Sequence, residues 1–279
     1  MASTVIQVDT PQGQGRLFVD LAQQPSSILV LGHGAGGGVA AADLDLLARS
    51  LSELGTSVVR FEQPWRTAGR TVGPPPPRLD EAWRAALSWL IEQKWAQRPL
   101  FVGGRSAGAR VACRTASDTD PAAIVCLAFP LHLPGRPEKS RLAELLAPTV
   151  PRLVLQGSRD SFGTADEIRK AIGEAPDITV VELPGADHSF RIARRRAKEE
   201  RADNVSPSAS DDAGGGIKAR SAASGASNQT RIKERSGASG ASNQRPIARR
   251  SAFTPADLRM ALVTEVSRFI GAVAGITTS

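Results

Sequence analysis

Short apolar runs closed by turn residues alternate along this chain with longer segments of helical period. That alternation points to an α/β protein with a mainly parallel sheet, because parallel neighbours need a crossover and a helix supplies it. The runs read as strands are 4–8 and 16–21 as an opening pair, then 27–31, 57–61, 100–102, 123–129, 152–156 and 178–183. Leu44, Leu47, Leu51 and Leu54 share one helical face, with Asp43 as the expected N-cap and Gly55 as the stop. Leu79, Trp83, Leu87 and Leu90 mark a second helix after the prolines at 74–77, and Ala109, Ala112, Cys113 and Ala116 a third. Shorter helices are expected near 140–146 and 165–172. Thr254-Pro255-Ala256-Asp257 is a strong helix start, and Leu258, Leu262, Val266 and Phe269 give that closing helix its buried face.

Charge divides the chain. Counted whole, its 279 residues carry 35 Lys and Arg against 28 Asp and Glu, a formal +7 that would suit an anionic partner. The excess is local: residues 191–250 hold 14 basic and 6 acidic side chains, which leaves 21 and 22 for the other 219 residues. The same stretch is rich in Ser, Ala, Gly, Asn and Arg and nearly lacks large apolar residues, so it buries too little surface to offset the entropy of ordering it. It also repeats internally, 217–229 recurring at 232–244, and Ile192-Ala193-Arg194-Arg195 returns as Ile247-Ala248-Arg249-Arg250. The expected organisation is one domain formed by 1–190 and 251–279, interrupted by a disordered basic insertion at 191–250. The N-terminus has neither a basic start nor an apolar run, and no stretch nears the roughly 18 apolar residues of a membrane span, so a cytoplasmic protein without membrane contact is expected. Cys113 and Cys126 have no metal-ligand spacing and read as buried free thiols.

The chemistry concentrates at strand ends. Gly104-Arg105-Ser106-Ala107-Gly108 follows one strand and opens a helix, the context in which a nucleophilic serine sits on a strained turn. A hydroxyl needs a base, and the base needs a carboxylate to fix its tautomer. His188, after the last strand of the sheet, and Asp160, after the strand before it, complete the order Ser, Asp, His; Asp187 is the fallback acid. An oxyanion would need two donors, the N–H of Ala107 and one from Gly34 or Ala35 in His33-Gly34-Ala35-Gly36. A phosphate-cradling reading of that loop lacks the Lys-Ser or Lys-Thr that should follow. His33, Arg66, Arg105 and His132 lie where they could face a substrate pocket. The blander alternatives are a loop-fixing bond for each histidine, an Arg105 pair with an acid such as Glu62, and solvation for Arg66.

At these residues the chain resembles the α/β-hydrolase superfamily. Within it, the chain is similar to the small dienelactone-hydrolase-like proteins related to a testis-expressed hydrolase-like protein and to a subunit of a chromatin acetyltransferase complex. The resemblance spans about 27–190 plus the closing helix. It rests on His33-Gly34-Ala35-Gly36, Arg60-Phe61-Glu62, Gly103 to Gly108, Phe129-Pro130-Leu131-His132, Gly157-Ser158-Arg159-Asp160 and Gly185-Ala186-Asp187-His188-Ser189-Phe190. It implies the α/β-hydrolase fold and a triad of Ser106, Asp160 and His188. Two features depart from it: dienelactone hydrolases carry cysteine where Ser106 stands, and the insertion is foreign to the pattern. The expected function is hydrolysis of a small-molecule carboxylic ester or thioester, with no metal and no organic cofactor. The alternatives are a non-catalytic interaction protein on the same scaffold, or polyanion binding through the insertion. Nucleic acid is disfavoured as that polyanion, since the insertion offers no aromatic side chain for base stacking.

Overall fold

The computed structural model describes residues 3–192 and 253–275. They build one eight-stranded sheet, and the expectations for 193–250 lie outside the described residues. In chain order the elements are β1 (Thr4–Thr10), β2 (Gly13–Asp20), β3 (Ser27–Gly32), α1 (Ala42–Glu53), β4 (Thr56–Glu62), α2 (Pro64–Thr67) and α3 (Pro76–Ile91). A short 3-10 turn precedes β5 (Leu100–Arg105), α4 (Ala107–Thr119), β6 (Ala123–Leu127) and α5 (Leu142–Leu146). The chain continues through β7 (Arg152–Gly157), α6 (Ala165–Ile172) and β8 (Ile178–Leu183) to α7 (Pro255–Ala274). The sheet order is β1-β2-β4-β3-β5-β6-β7-β8, antiparallel from β1 to β4 and parallel from there on.

Strand periodicity divides the core into two layers. Ile28 and Val30 of β3 point to the side of Trp83 and Leu90 from α3 and Ala109 and Ala112 from α4. Leu29 and Leu31 point the opposite way, towards Leu44, Leu47 and Leu51 of α1 and Leu258, Leu262 and Val266 of α7. Helices on both faces explain why β3 and β4 are buried along their whole length.

Several local expectations shift. Asp43 is not the cap of α1: Ala41 holds that position without a side-chain bond, and Asp43 sits in the first turn with its carboxylate on Arg105. The strand expected over 123–129 stops at Leu127, because Ala128 takes a left-handed φ of 48° that ends the ladder. On α7, Ile270 rather than Phe269 completes the buried row, at a spacing of four from Val266. The Thr254 start is a reciprocal capping box with Asp257. Among the described residues no helix is long and apolar enough to cross a membrane.

Candidate active site

The parallel strands deliver their C-terminal ends to one edge of the sheet, where α/β folds place their ligands. There β5 runs straight into α4 through Ser106, whose φ of 51° and ψ of −105° are strained for a residue with a side chain. The turn is held by Ser106 N–H donating to Leu127 O (2.9 Å) and Arg110 N–H donating to Ser106 O (3.2 Å). It also packs directly on the end of β3. A Cβ at Gly108 would lie 2.2 Å from Gly32 O, and one at Gly104 2.4 Å from the same atom. The two flanking glycines are therefore a steric requirement of the elbow.

The ends of β7 and β8 bring Asp160 and His188 to that serine. His188 Nε2 lies 3.0 Å from Ser106 Oγ, and His188 Nδ1 lies 2.9 and 2.8 Å from the two Asp160 oxygens. An ionised carboxylate only accepts, so Nδ1 carries the proton and Nε2 turns its lone pair to the hydroxyl. Asp160 is 2 % exposed and accepts two further bonds, from Phe162 N–H and from Gln156 Nε2, both at 2.8 Å. Asp187 is occupied elsewhere, accepting from the N–H groups of Ser189 and Arg191 and so folding the loop that carries His188. That loop docks on β7 at Gly157, where a Cβ would meet Ala186 O at 2.3 Å. The Phe162 ring stacks on His188 with centroids 4.1 Å apart. Phe162 and Gln156 have no sequence signature of their own, although Phe162 stands only two residues after Asp160.

The glycine-rich loop after β3 lies against the elbow, Gly34 approaching Ser106 Cβ and Arg105 O. His33 Nε2 accepts from Gln63 N–H at 3.2 Å, which leaves Nδ1–H to donate to Gly34 O at 2.9 Å. Burial is the largest influence on His33 and holds its pKa below the usual 6.5, with the Gly34 bond and Glu62 acting against it. The ring is thus a neutral clamp on the loop.

A cleft of about 870 Å³ opens over these residues. Its wall includes Gly34, Ala35, Arg105, Ser106, Ala107 and His188. Leu46, Phe190, Leu258 and Leu262 supply an apolar side, so α7 reaches the cleft across the 193–252 interval. Arg105 pairs with Asp43 at 3.1 Å, donates to His188 O and lies 4.5 Å from the centre of the Phe190 ring. It does not pair with Glu62, which holds Arg16 instead. His33, Arg66 and His132 are absent from the wall: Arg66 lies over Trp65, and His132 Nδ1 bonds Leu133 O at 2.9 Å. Arg110 and Arg141 line it, and neither stood out in the sequence.

The comparisons with known proteins agree with this architecture. The chain is similar to a Xanthomonas campestris α/β serine hydrolase without a lid (25% identity, TM-score 0.55), over 68% of this chain and 87% of that one. It is similar in fold to an α-β serine hydrolase homologue from Coxiella burnetii (22%, TM-score 0.58, covering 68% and 91%). The same holds for Est1E from Butyrivibrio proteoclasticus (14%, TM-score 0.54, covering 67% and 91%). A family profile described as an alpha/beta hydrolase domain matches residues 25–213, the span that contains the elbow and the strand ends carrying Asp160 and His188. With that match covering well over half of the chain, this protein belongs to the alpha/beta hydrolase domain family.

Proposed function

We propose that the protein is a serine hydrolase that cleaves a carboxylic ester or thioester through an acyl-enzyme on Ser106. The observation that carries this reading is the unbroken line from Asp160 through His188 to Ser106, with every link at 2.8–3.0 Å. Ser106 Oγ attacks the carbonyl carbon as its proton passes to His188 Nε2, and Asp160 stabilises the imidazolium that forms. Collapse of the tetrahedral adduct expels the alcohol or thiol, which takes the proton back from Nε2. Water repeats the sequence and releases the acid.

The oxyanion falls to two backbone donors. Ala107 N–H, at the N-terminus of α4, has no acceptor among the described residues. Gly34 O is held by His33 Nδ1–H and by Gly37 N–H, and in a trans peptide the Ala35 N–H points the opposite way. Neither Gly34 N–H nor Ala35 N–H has an acceptor among the described residues, so both stand as candidates for the second donor. The test is a panel of p-nitrophenyl esters and acyl thioesters assayed with wild type and with Ser106→Ala. Turnover of at least one member by wild type and its loss in the variant are expected. A wild type inert towards the whole panel, or equal rates in the two proteins, overturns the reading.

A further inference from the structure

Arg110, Arg114 and Arg141 form one cluster beside the cleft with two carboxylates, Glu144 and Asp80. Arg110 binds both Glu144 oxygens, at 2.7 and 2.6 Å. Arg114 binds both Asp80 oxygens at 2.9 and 2.6 Å, and also reaches Glu144 at 3.0 Å. Glu144 is half-buried, which alone would raise its pKa, yet the bonds and charges of Arg110 and Arg114 outweigh that and hold it below the usual 4.5. Both acids are therefore consumed, and the third guanidinium is in excess. Arg141 is half-buried and, among the described residues, donates only to Pro130 O, at 3.2 Å. Among the described residues no carboxylate lies within 4.0 Å of it. Burial first, and then the like charge of Arg110, disfavours its charged form, with Glu144 opposing them in part. A guanidinium still cannot shed its proton near neutral pH, so an anion entering the cleft would gain from meeting it.

Arg141 and Ser106 line the same cleft. Arg110, whose charge acts on Arg141, stands one helical turn, about 6 Å, along α4 from the nucleophile. We propose that the substrate is an ester bearing a carboxylate, and that Arg141 is the specificity-determining residue that binds this carboxylate while the ester carbonyl sits at Ser106. The proposal rests on the hydrolase reading of the cleft and adds the class of substrate to it. Within this cluster Arg141 is the uncommitted guanidinium, with its neighbour Arg110 held by Glu144, and it matches one carboxylate. Arg191 and Arg259, also on the cleft wall, are exposed to solvent, whereas Arg141 is half-buried.

The test compares esters that differ in one charge. On the acyl side, mono-p-nitrophenyl adipate is set against p-nitrophenyl hexanoate; on the alcohol side, 4-carboxyphenyl hexanoate is set against its methyl ester. In at least one pair kcat/KM should favour the charged ester by about tenfold, the scale of a charge-assisted hydrogen bond. Arg141→Gln should bring that ratio to about one or below, and Arg141→Lys should retain part of it. No preference in either pair, or a preference that survives Arg141→Gln, overturns the proposal. If no ester is turned over, the hydrolase reading fails separately, and NMR titration of the Ser106→Ala protein decides this one. Adipamate should then bind about tenfold tighter than hexanamide, or 4-hydroxybenzoate tighter than its methyl ester, and the difference should vanish when Arg141→Gln is added. Equal affinities within both pairs would overturn it.

Discussion

At the residue scale, the acid that orients His188 could have been either of two aspartates, and hydrogen-bond direction separates them. Asp160 faces the imidazole, whereas Asp187 spends its carboxylate on backbone N–H groups of its own turn. His188→Ala and Asp160→Asn should therefore each lower kcat about 10³-fold or more, and the double variant should lose little beyond that, because the residues act as a unit. Near-normal turnover in Asp160→Asn would contradict the assignment. His33 makes a prediction about pH. Its pKa is lowered on folding, so below about 6.5 the unfolded chain binds a proton that the folded chain refuses. Its contribution to stability is full above that pH and is lost as the pH falls towards the folded value. The Tm advantage of wild type over His33→Gln should thus shrink between pH 7.5 and 5; a constant advantage would contradict the neutral clamp. Ser106, Asp160 and His188 were legible in the sequence because each sits at a strand end in a motif of its own. The partners of Arg105 and Arg110 were not, since Asp43 and Glu144, distant in sequence, reach those guanidiniums only when the chain folds.

At the scale of elements, the elbow depends on how closely β3 and α4 approach. Gly108→Ala would place a methyl group against the Gly32 carbonyl, both of them backbone-bound. It should cost about 1–3 kcal/mol in urea unfolding, as overpacking does, and should displace Ser106 enough to lower turnover. A neutral result would mean that the contact is looser than the geometry indicates. Most strands and long helices could be read from period and turn residues, because burial on both faces leaves nearly continuous apolar runs. The misreadings have local causes. The strand through 128 and 129 was apolar and gave no sign of the positive φ at Ala128. The short helix α2 was missed because four residues are too few for any period to show.

At the scale of the whole molecule, α7 packs on the same core layer as α1, so the parts of the chain on either side of 193–252 share one core. We propose that the hydrolase domain is formed by 1–190 with 251–279 and that the segment expected at 191–250 is an appendage beyond Ile192, because Arg191 and Ile192 pair with Asp187 and Ala186 of the body. Composition alone motivates the second half of that statement. Removing 196–250 should leave Tm nearly unchanged and esterase activity intact, since loop closure changes only with the logarithm of length, by about 0.6 kcal/mol per doubling. Loss of fold and activity together would show that the segment packs on the body. Any binding of the intact chain to polyanions should disappear in the same deletion, because the body is close to neutral. The charge asymmetry and the repeats were plain in the sequence, whereas the meeting of Arg105, Arg110 and Arg141 on one cleft arises only in three dimensions. The central claim is that Ser106 is a nucleophile activated by His188, and treatment of the intact chain with a fluorophosphonate probe, followed by peptide mass mapping, tests it most directly. Labelling of wild type on Ser106 alone, with none in Ser106→Ala and strongly slowed labelling in His188→Ala, is the predicted result; a folded wild type that remains unlabelled, or one labelled at another serine, would contradict it.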